Sequence, residues 1–195
     1  MHKGILQNKL FYCGHIDGSQ NELQDISEFT VRTQNGYGLV NYLQKFAWQD
    51  EVEGMMRTYT VRDFHSSELA GYFSLKAGLI SINETTTENG VTFDTIPGIE
   101  IANFAVNYGY LEKHSELEGV GLIIFNDFII PIIQDIAKSV GVKIVYIFAL
   151  PFKGLIDHYR KYGFSRLDSA SEYELHKRLK PRYDETCVFM FQTLS

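Results

Sequence analysis

"SELEGVGLII", Ser115 to Ile124, is the stretch on which the reading of this chain turns. A polar run meets two glycines one residue apart, and a long apolar segment follows. Glycines at a helix start let the backbone come close to a ligand, and the first-turn N–H groups point at it. The junction reads as a phosphate-binding loop.

Two common phosphate loops do not fit. A dinucleotide loop needs G-x-G-x-x-G directly after a strand. Here Ile124 stands at the third glycine, and "YGYLEKHSELEG" separates the strand from the glycines. A mononucleotide loop needs Gly-Lys-Ser/Thr, where this chain has Leu122 and Ile123.

Outward from the loop, the apolar spacing of Phe125, Phe128, Ile129, Ile132, Ile133, Ile136 and Val140 predicts a helix from Gly119 to about Val140. Gly141 is its stop, and Pro131 should kink it. "TIPGIEIANFAVN" before it reads as a strand. "VKIVYIFAL" after it reads as a parallel strand covered on both faces. The spans 98–107, 119–140 and 142–150 form a βαβ crossover, right-handed by rule. Further out, a helix is expected at 38–50, and strands in "MMRTYTVRDF" and "ELAGYFSLKAGLISIN" with a turn at "HSS". "TTTENGVT" reads as a polar loop and "FKGLIDHYRKYG" as a helix ending at Gly163. "FSRLDSA", "SEYELHKRL" and "ETCVFMFQTL" read as closing strands. "SQNELQDISEF" fits a short helix capped by Ser19, with Glu22 three residues on. The expectation is one α/β domain over residues 1–195, with 38–195 as its core and 1–36 as an extension.

The 195 residues suffice for one domain with a real core, and 45% hydrophobic against 22% charged residues is ordinary for a globular chain. A net charge of −6 argues against a nucleic acid held by overall charge. Cys13 and Cys187 have neither zinc nor redox spacing and read as thiols in a reducing cytosol. No cluster suggests a metal. The start "MHKGILQNKLFYCG" lacks the apolar run of a secretory signal. The longest apolar stretch, Gly119–Ile133, contains Asn126, Asp127 and Pro131 and is short for a membrane span. A cytoplasmic protein without a membrane partner is expected.

Glu116-Leu117-Glu118-Gly119-Val120-Gly121 resembles the coenzyme A loop of the GNAT acetyltransferases. There a Gln or Arg, two residues, Gly, any residue, then Gly or Ala open a helix after the fourth strand. "HYRKYGF" resembles the same family's helix end, a tyrosine four residues before Gly-Phe, here Tyr159, Gly163 and Phe164. "LVNYLQKFAWQDEVEGMMRTYTV", "ELAGYFSLKAGLISI" and "IANFAVN" are similar to a subgroup that includes toxins acetylating the amino group of charged tRNA. The likeness covers about residues 38 to 167. It implies a mixed, mainly antiparallel sheet with a parallel βαβ crossover and flanking helices. It implies acetyl-CoA as cofactor, with pyrophosphate on the backbone at Leu117–Leu122 and pantetheine between strands 98–107 and 142–150. An amine would attack the thioester. Tyr159, with a hydroxyl near the usual pKa of about 10, would protonate the leaving thiolate. A strand N–H near Ala105 or Val106 would stabilise the oxyanion. Such domains often pair, so a homodimer is an expectation.

The departures from the family are acidic. Glu116 replaces the Gln or Arg, and Glu118 adds a second charge. At roughly 7 Å, each would repel one phosphate charge by about 0.6 kcal/mol in water and about 2.4 kcal/mol at an effective dielectric of 20. Backbone bonds to a charged oxygen, roughly 1.5–3 kcal/mol each, outweigh that. An Asn usual near position 152 is absent, where Phe152 stands. Asn103 stands where the RNA-acetylating toxins carry an Arg, which counts against that subgroup's substrate. Glu100, in an apolar strand, is the candidate base; the alternative is a solvated residue at the strand's start. His65 and His114 read as surface histidines, and His158 and Tyr162 as structural. An aminoacyl-tRNA amine, with its lowered pKa, needs no base. "HKRLKPR", with Lys177, Arg178, Lys180 and Arg182, would sit in a hairpin and meet RNA or the coenzyme's 3′-phosphate. The expected function is an acetyl-CoA-dependent N-acetyltransferase acting on a primary amine of a small molecule or peptide. The alternatives are a toxin-like acetyltransferase of aminoacyl-tRNA, or a degenerate domain that binds without catalysis.

Overall fold

The computed structural model describes residues 5–88, 90–178 and 186–194. In chain order the strands are β1 Leu6–Gln7, β2 Phe11–His15, β3 Arg57–Asp63, β4 Leu69–Thr87, β5 Gly90–Val106, β6 Ile144–Ala149, β7 Ser165–Arg166 and β8 Val188–Thr193. The helices are α1 Gln20–Ser27, α2 Tyr37–Lys45, α3 Ala47–Val52, α4 Tyr108–Lys113, α5 Val120–Ile124, α6 Ile130–Ala137, α7 Lys153–Lys161 and α8 Ser169–Arg178. The class is mixed α/β with a mainly antiparallel sheet, as expected. Two compact units divide the chain: Met1–Lys76 with Ala102–Ile133, and Ala77–Ile101 with Gln134–Ser195.

In the first unit the strand order is β1-β2-β3-β4-β5. The N-terminal segment is part of this sheet: β2 pairs antiparallel with β3, from Phe11↔Asp63 to His15↔Tyr59. Ser19 caps α1, accepting the N–H of Glu22, as the S-x-x-E pattern requires. The Glu22 carboxylate does not close a capping box. It accepts from the Asp17 N–H and the Thr60 hydroxyl and lies 3.6 Å from Arg62, tying α1 to β3. Ile26, Phe29, Leu43, Leu69 and Tyr72 form the core beneath α1 and α2. The Tyr72 hydroxyl donates to the Leu39 carbonyl at 2.7 Å.

In the second unit the order is β4-β5-β6-β8-β7. All six residues of β6 are buried, as a near-continuous apolar strand with neighbours on both edges demands. It runs parallel to β5 from Gly98↔Ile144 to Glu100↔Tyr146 and antiparallel to β8 from Ile144↔Thr193 to Ala149↔Val188. Ile80, Tyr146, Phe148, Leu175 and Phe189 fill the core.

Several expectations need correction. The helix of 38–50 is two helices, broken at Phe46, whose backbone leaves the helical region. "TTTENGVT" is largely strand, since β4 runs to Thr87 and β5 begins at Gly90. "YGYLEKHSELEG" contains α4. "SEYELHKRL" is helix α8, not a strand. The long helix ends at Ala137 rather than Val140.

Between α5 and α6 the chain makes a π-helical turn, Phe125–Ile129. This is how the helix accommodates Pro131, whose ring would clash with the Asp127 carbonyl in an unbroken α-helix. The Ile130 N–H donates five residues back, to the Phe125 carbonyl. Val120–Ala137 is long and apolar enough by length and composition to cross a membrane, yet Val120, Ile124, Phe125, Phe128, Ile129, Ile132 and Ile133 are buried within the fold. Cys13 and Cys187 are both fully buried thiols. Burial pushes the Cys13 thiol up to about 12.

Candidate functional site

The loop is held from both ends. At its start, Asn107 caps α4, and its amide accepts the N–H of Gly109 at 3.2 Å and of Thr30 at 3.2 Å while donating to the Leu69 carbonyl at 2.8 Å. The Asn107 N–H donates to the Ala70 carbonyl at 2.8 Å. One residue thus fixes where β5 ends relative to β4 and where α4 begins. At the loop's end, Val120 and Ile124 are buried and anchor α5.

Gly119 is the N-cap of α5 with φ +68° and ψ +23°. This left-handed conformation requires glycine at little cost and any other residue at about 1–2 kcal/mol. No atom lies within 4 Å of where a Cβ would stand, so the backbone here is open to an approaching ligand. The Ile123 N–H donates to Gly119 and closes the first turn. The Leu117 N–H is committed to the His114 carbonyl at 3.0 Å. The donors left at the helix start are therefore those of Glu118, Gly119, Val120, Gly121 and Leu122, one fewer than the sequence implied.

Glu116 and Glu118 are both exposed. The His114 ring stacks on Tyr110, centroids 4.3 Å apart. Its Nδ1 lies 3.6 Å from Glu116 and its Nε2 3.8 Å from Glu68. Glu116 is thus directed to a histidine rather than across the helix start, and the surplus acid need not face a bound phosphate. An open left-handed glycine, the N–H groups of a helix start and two exposed acids, one of them drawn to His114, fit the pyrophosphate of a coenzyme.

Ala105 and Val106 lie beside this helix. A Cβ on Gly71 of β4 would meet the Ile124 side chain at 2.8 Å, the Ala105 carbonyl at 2.9 Å and the Val106 Cα at 3.5 Å. Gly71 therefore lets α5 lie against the β4–β5 hairpin at the candidate oxyanion donors. The register also separates the two. Asn107 bonds to Ala70, so in this antiparallel hairpin the N–H groups of Asn107 and Ala105 face β4, and that of Val106 faces the opposite edge. Of the two candidates, Val106 is the one whose N–H is not directed at β4.

In the second unit, Tyr159 lies on the buried face of α7, with an exposure of 6%. Its ring packs edge-on to Phe164 at 5.7 Å and Tyr162 at 6.1 Å. The helix ends as the sequence implied. Phe164 and Tyr162 donate N–H groups to the Tyr159 carbonyl, and Gly163 takes φ +88°. Burial pushes the Tyr162 hydroxyl up to about 12. His158 packs 4.5 Å from Tyr162, and burial, then Lys161, lowers its pKa. Phe152 is the N-cap of α7 and supplies no side-chain cap, so the absent Asn leaves that helix start uncapped.

Glu100 is buried, 6% exposed, opposite Tyr146 in the parallel pair. The alternative of a solvated residue at the strand's start is overturned, because β5 begins ten residues earlier, at Gly90. Asn103 is also buried. His65 is exposed in the turn after β3, as expected. The basic cluster divides: Lys177 and Arg178 end α8, with Lys177 paired to Glu174 at 2.7 Å, whereas Lys180 and Arg182 lie outside the described residues. Gly71, Asn107 and the cations around α7 were not singled out by sequence. Gly71 and Asn107 act through the hairpin register, which a single strand's pattern does not reveal.

No model of a known family matches the chain, and no curated protein matches it. Solved structures do. A tyrosine-to-phenylalanine variant of KacT superposes with a TM-score of 0.67 at 14% identity, covering 95% of each chain. AtaT complexed with acetyl-methionyl-tRNAfMet gives 0.62 at 14% identity, covering 92% of this chain and 93% of that one. A variant of the AtaT toxin bound to the C-terminus of the antitoxin AtaR and acetyl-CoA gives 0.62 at 14% identity, covering 94% and 92%. The loop at Gly119, the parallel β5–β6 pair and the Tyr159 helix end therefore stand in a chain that has the GNAT fold, in the form shared with KacT and AtaT.

Proposed function

We propose that this protein is an acetyl-CoA-dependent N-acetyltransferase whose acceptor is the amino group of an aminoacyl-tRNA. The observation that carries this is the open left-handed Gly119 heading a buried helix, on a fold matching AtaT with its acetylated tRNA over more than nine-tenths of both chains. The small-molecule or peptide acceptor first expected from sequence gives way to the tRNA alternative, since the structural neighbours are toxins, one solved with acetyl-methionyl-tRNAfMet.

Acetyl-CoA, when bound, supplies an activated acyl group and a thiolate leaving group. The N–H groups from Glu118 to Leu122 would hold its pyrophosphate without charged side chains. The Val106 N–H would face the acyl oxygen and stabilise the negative charge that develops there. Tyr159 would donate its hydroxyl proton to the departing sulfur. Glu100 remains the candidate for receiving the amine's proton, directly or through water. The amine of an aminoacyl ester, acidified by its neighbour, makes little demand on that base.

The test is direct. The purified protein is incubated with acetyl-CoA and aminoacylated tRNA, and the amino acid released by mild base is weighed by mass spectrometry. Gain of one acetyl group is expected. Acetylation of free amines with none on aminoacyl-tRNA would overturn the acceptor. No acetyl-CoA binding at all would overturn the whole reading.

A further inference from the structure

The row Lys153, Asp157, Arg160 steps by four and three residues and so shares one face of α7, beside the face that buries Ile156 and Tyr159. Lys153 and Arg160 both reach Asp157, the guanidinium at 3.1 Å, and this pair holds the Asp157 carboxyl below the usual range. From β7, Arg166 reaches Glu172 at 2.8 Å. The other Glu172 oxygen accepts the buried Phe189 N–H at 3.1 Å, so Arg166 is anchored from within. The three cations border a cavity of about 300 Å³ with Ile156 and Val188 in its wall. At roughly 30 Å³ per water this holds about ten waters, room for a phosphodiester with its sugar.

Three cations against two carboxylates make a locally positive concavity on a chain of net charge −6. Such a chain has no general attraction for a polyanion and needs a local clamp. A guanidinium has five N–H donors in a fixed fork, and one ion pair each leaves Arg160 and Arg166 with donors for a second oxyanion. We propose that this pocket binds a backbone phosphate of the RNA acceptor, an inference that rests on the tRNA reading above. Arg160 directly follows Tyr159, so a phosphate clamped there has a fixed relation to the proton donor on the same helix.

Lys153 and Arg160 side chains are 89% and 57% exposed, so Lys153→Gln and Arg160→Gln test the pocket without threatening the fold. The full chain is titrated with total aminoacylated tRNA between about 50 and 200 mM KCl, and acetyl-CoA affinity is measured alongside. Each variant should bind tRNA about tenfold more weakly, with a salt slope shallower by about 1, and keep its acetyl-CoA affinity. Unchanged tRNA affinity and slope, while wild type still acetylates aminoacyl-tRNA, would overturn this pocket alone. Loss of acetyl-CoA affinity instead would assign the phosphate to the coenzyme and overturn the RNA source. Wild type that neither binds nor acetylates tRNA would remove the acceptor reading and this inference together.

Discussion

At the scale of single residues, two glycines do different work. Gly119 permits a backbone angle, and Gly71 permits a contact. Gly119→Ala should strain the helix start by about 1–2 kcal/mol and turn its N–H groups away. Wild type at a hundredfold excess of acetyl-CoA over its Kd gains about 2.7 kcal/mol, a rise in Tm of about 5–10 °C for a chain of this size. The variant's rise should be clearly smaller; an equal one would remove Gly119 from the site. Gly71→Ala presses a methyl onto the Ala105 carbonyl at 2.9 Å. It should cost about 1–3 kcal/mol in urea unfolding. Tyr159→Phe should lower turnover about a hundredfold while leaving the acetyl-CoA-induced Tm rise intact, and undiminished turnover would exclude Tyr159 as proton donor. Gly119 and Tyr159 were legible because each lies in a local pattern. Gly71 was not, because its neighbours come from residues more than thirty positions away.

At the scale of elements, local chemistry decided what could be read. Ser19 announced α1, and Ser19→Ala should cost about 1 kcal/mol, seen as a Tm lower by about 2–4 °C. No change would mean that the network of Glu22 with Arg62 and Thr60 holds α1 by itself. "SEYELHKRL" reads as a closing strand in the sequence, but Asp168 accepts the N–H groups of Ala170 and Ser171 and starts a helix. The buried residues of α8 are Glu172 and Leu175, three apart, as a helix face requires. The buried Glu172 is satisfied by partners distant in the chain pattern, Arg166 of β7 and the Phe189 N–H of β8. Pro131 was visible as a disturbance. That the chain answers with a π turn depends on packing of the helix's apolar side.

At the scale of the whole molecule, Asp63 is a strong contributor to the acid response. Burial alone would raise the Asp63 pKa, but the Ser66 N–H, the Tyr110 hydroxyl at 2.7 Å and the His65 N–H outweigh it and hold the group at about 2. A folded pKa below the unfolded one stabilises above about pH 4, and that stability is lost as pH falls through 2. Discounted for the solvent it still meets, this is about 1–2 kcal/mol. Asp63→Asn should be less stable than wild type by that amount at pH 7, and the gap should close near pH 2; a gap independent of pH would refute the assignment. At this scale the apolar helix followed by a near-continuous apolar strand made the βαβ crossover legible, while the mainly antiparallel sheet was implied only by the resemblance of the Glu116–Gly121 loop and the Tyr159 helix end to the GNAT family. The acceptor was not legible, since one fold hosts many substrates, and the clamp around α7 needed Arg166 brought beside Lys153 and Arg160. The two buried thiols carry a further consequence. One lies in each compact unit, and neither meets solvent while its unit is closed. An alkylating reagent should therefore label Cys13 and Cys187 only through opening events. Peptide mapping of the label would then time the breathing of each half of this molecule separately, with no probe added.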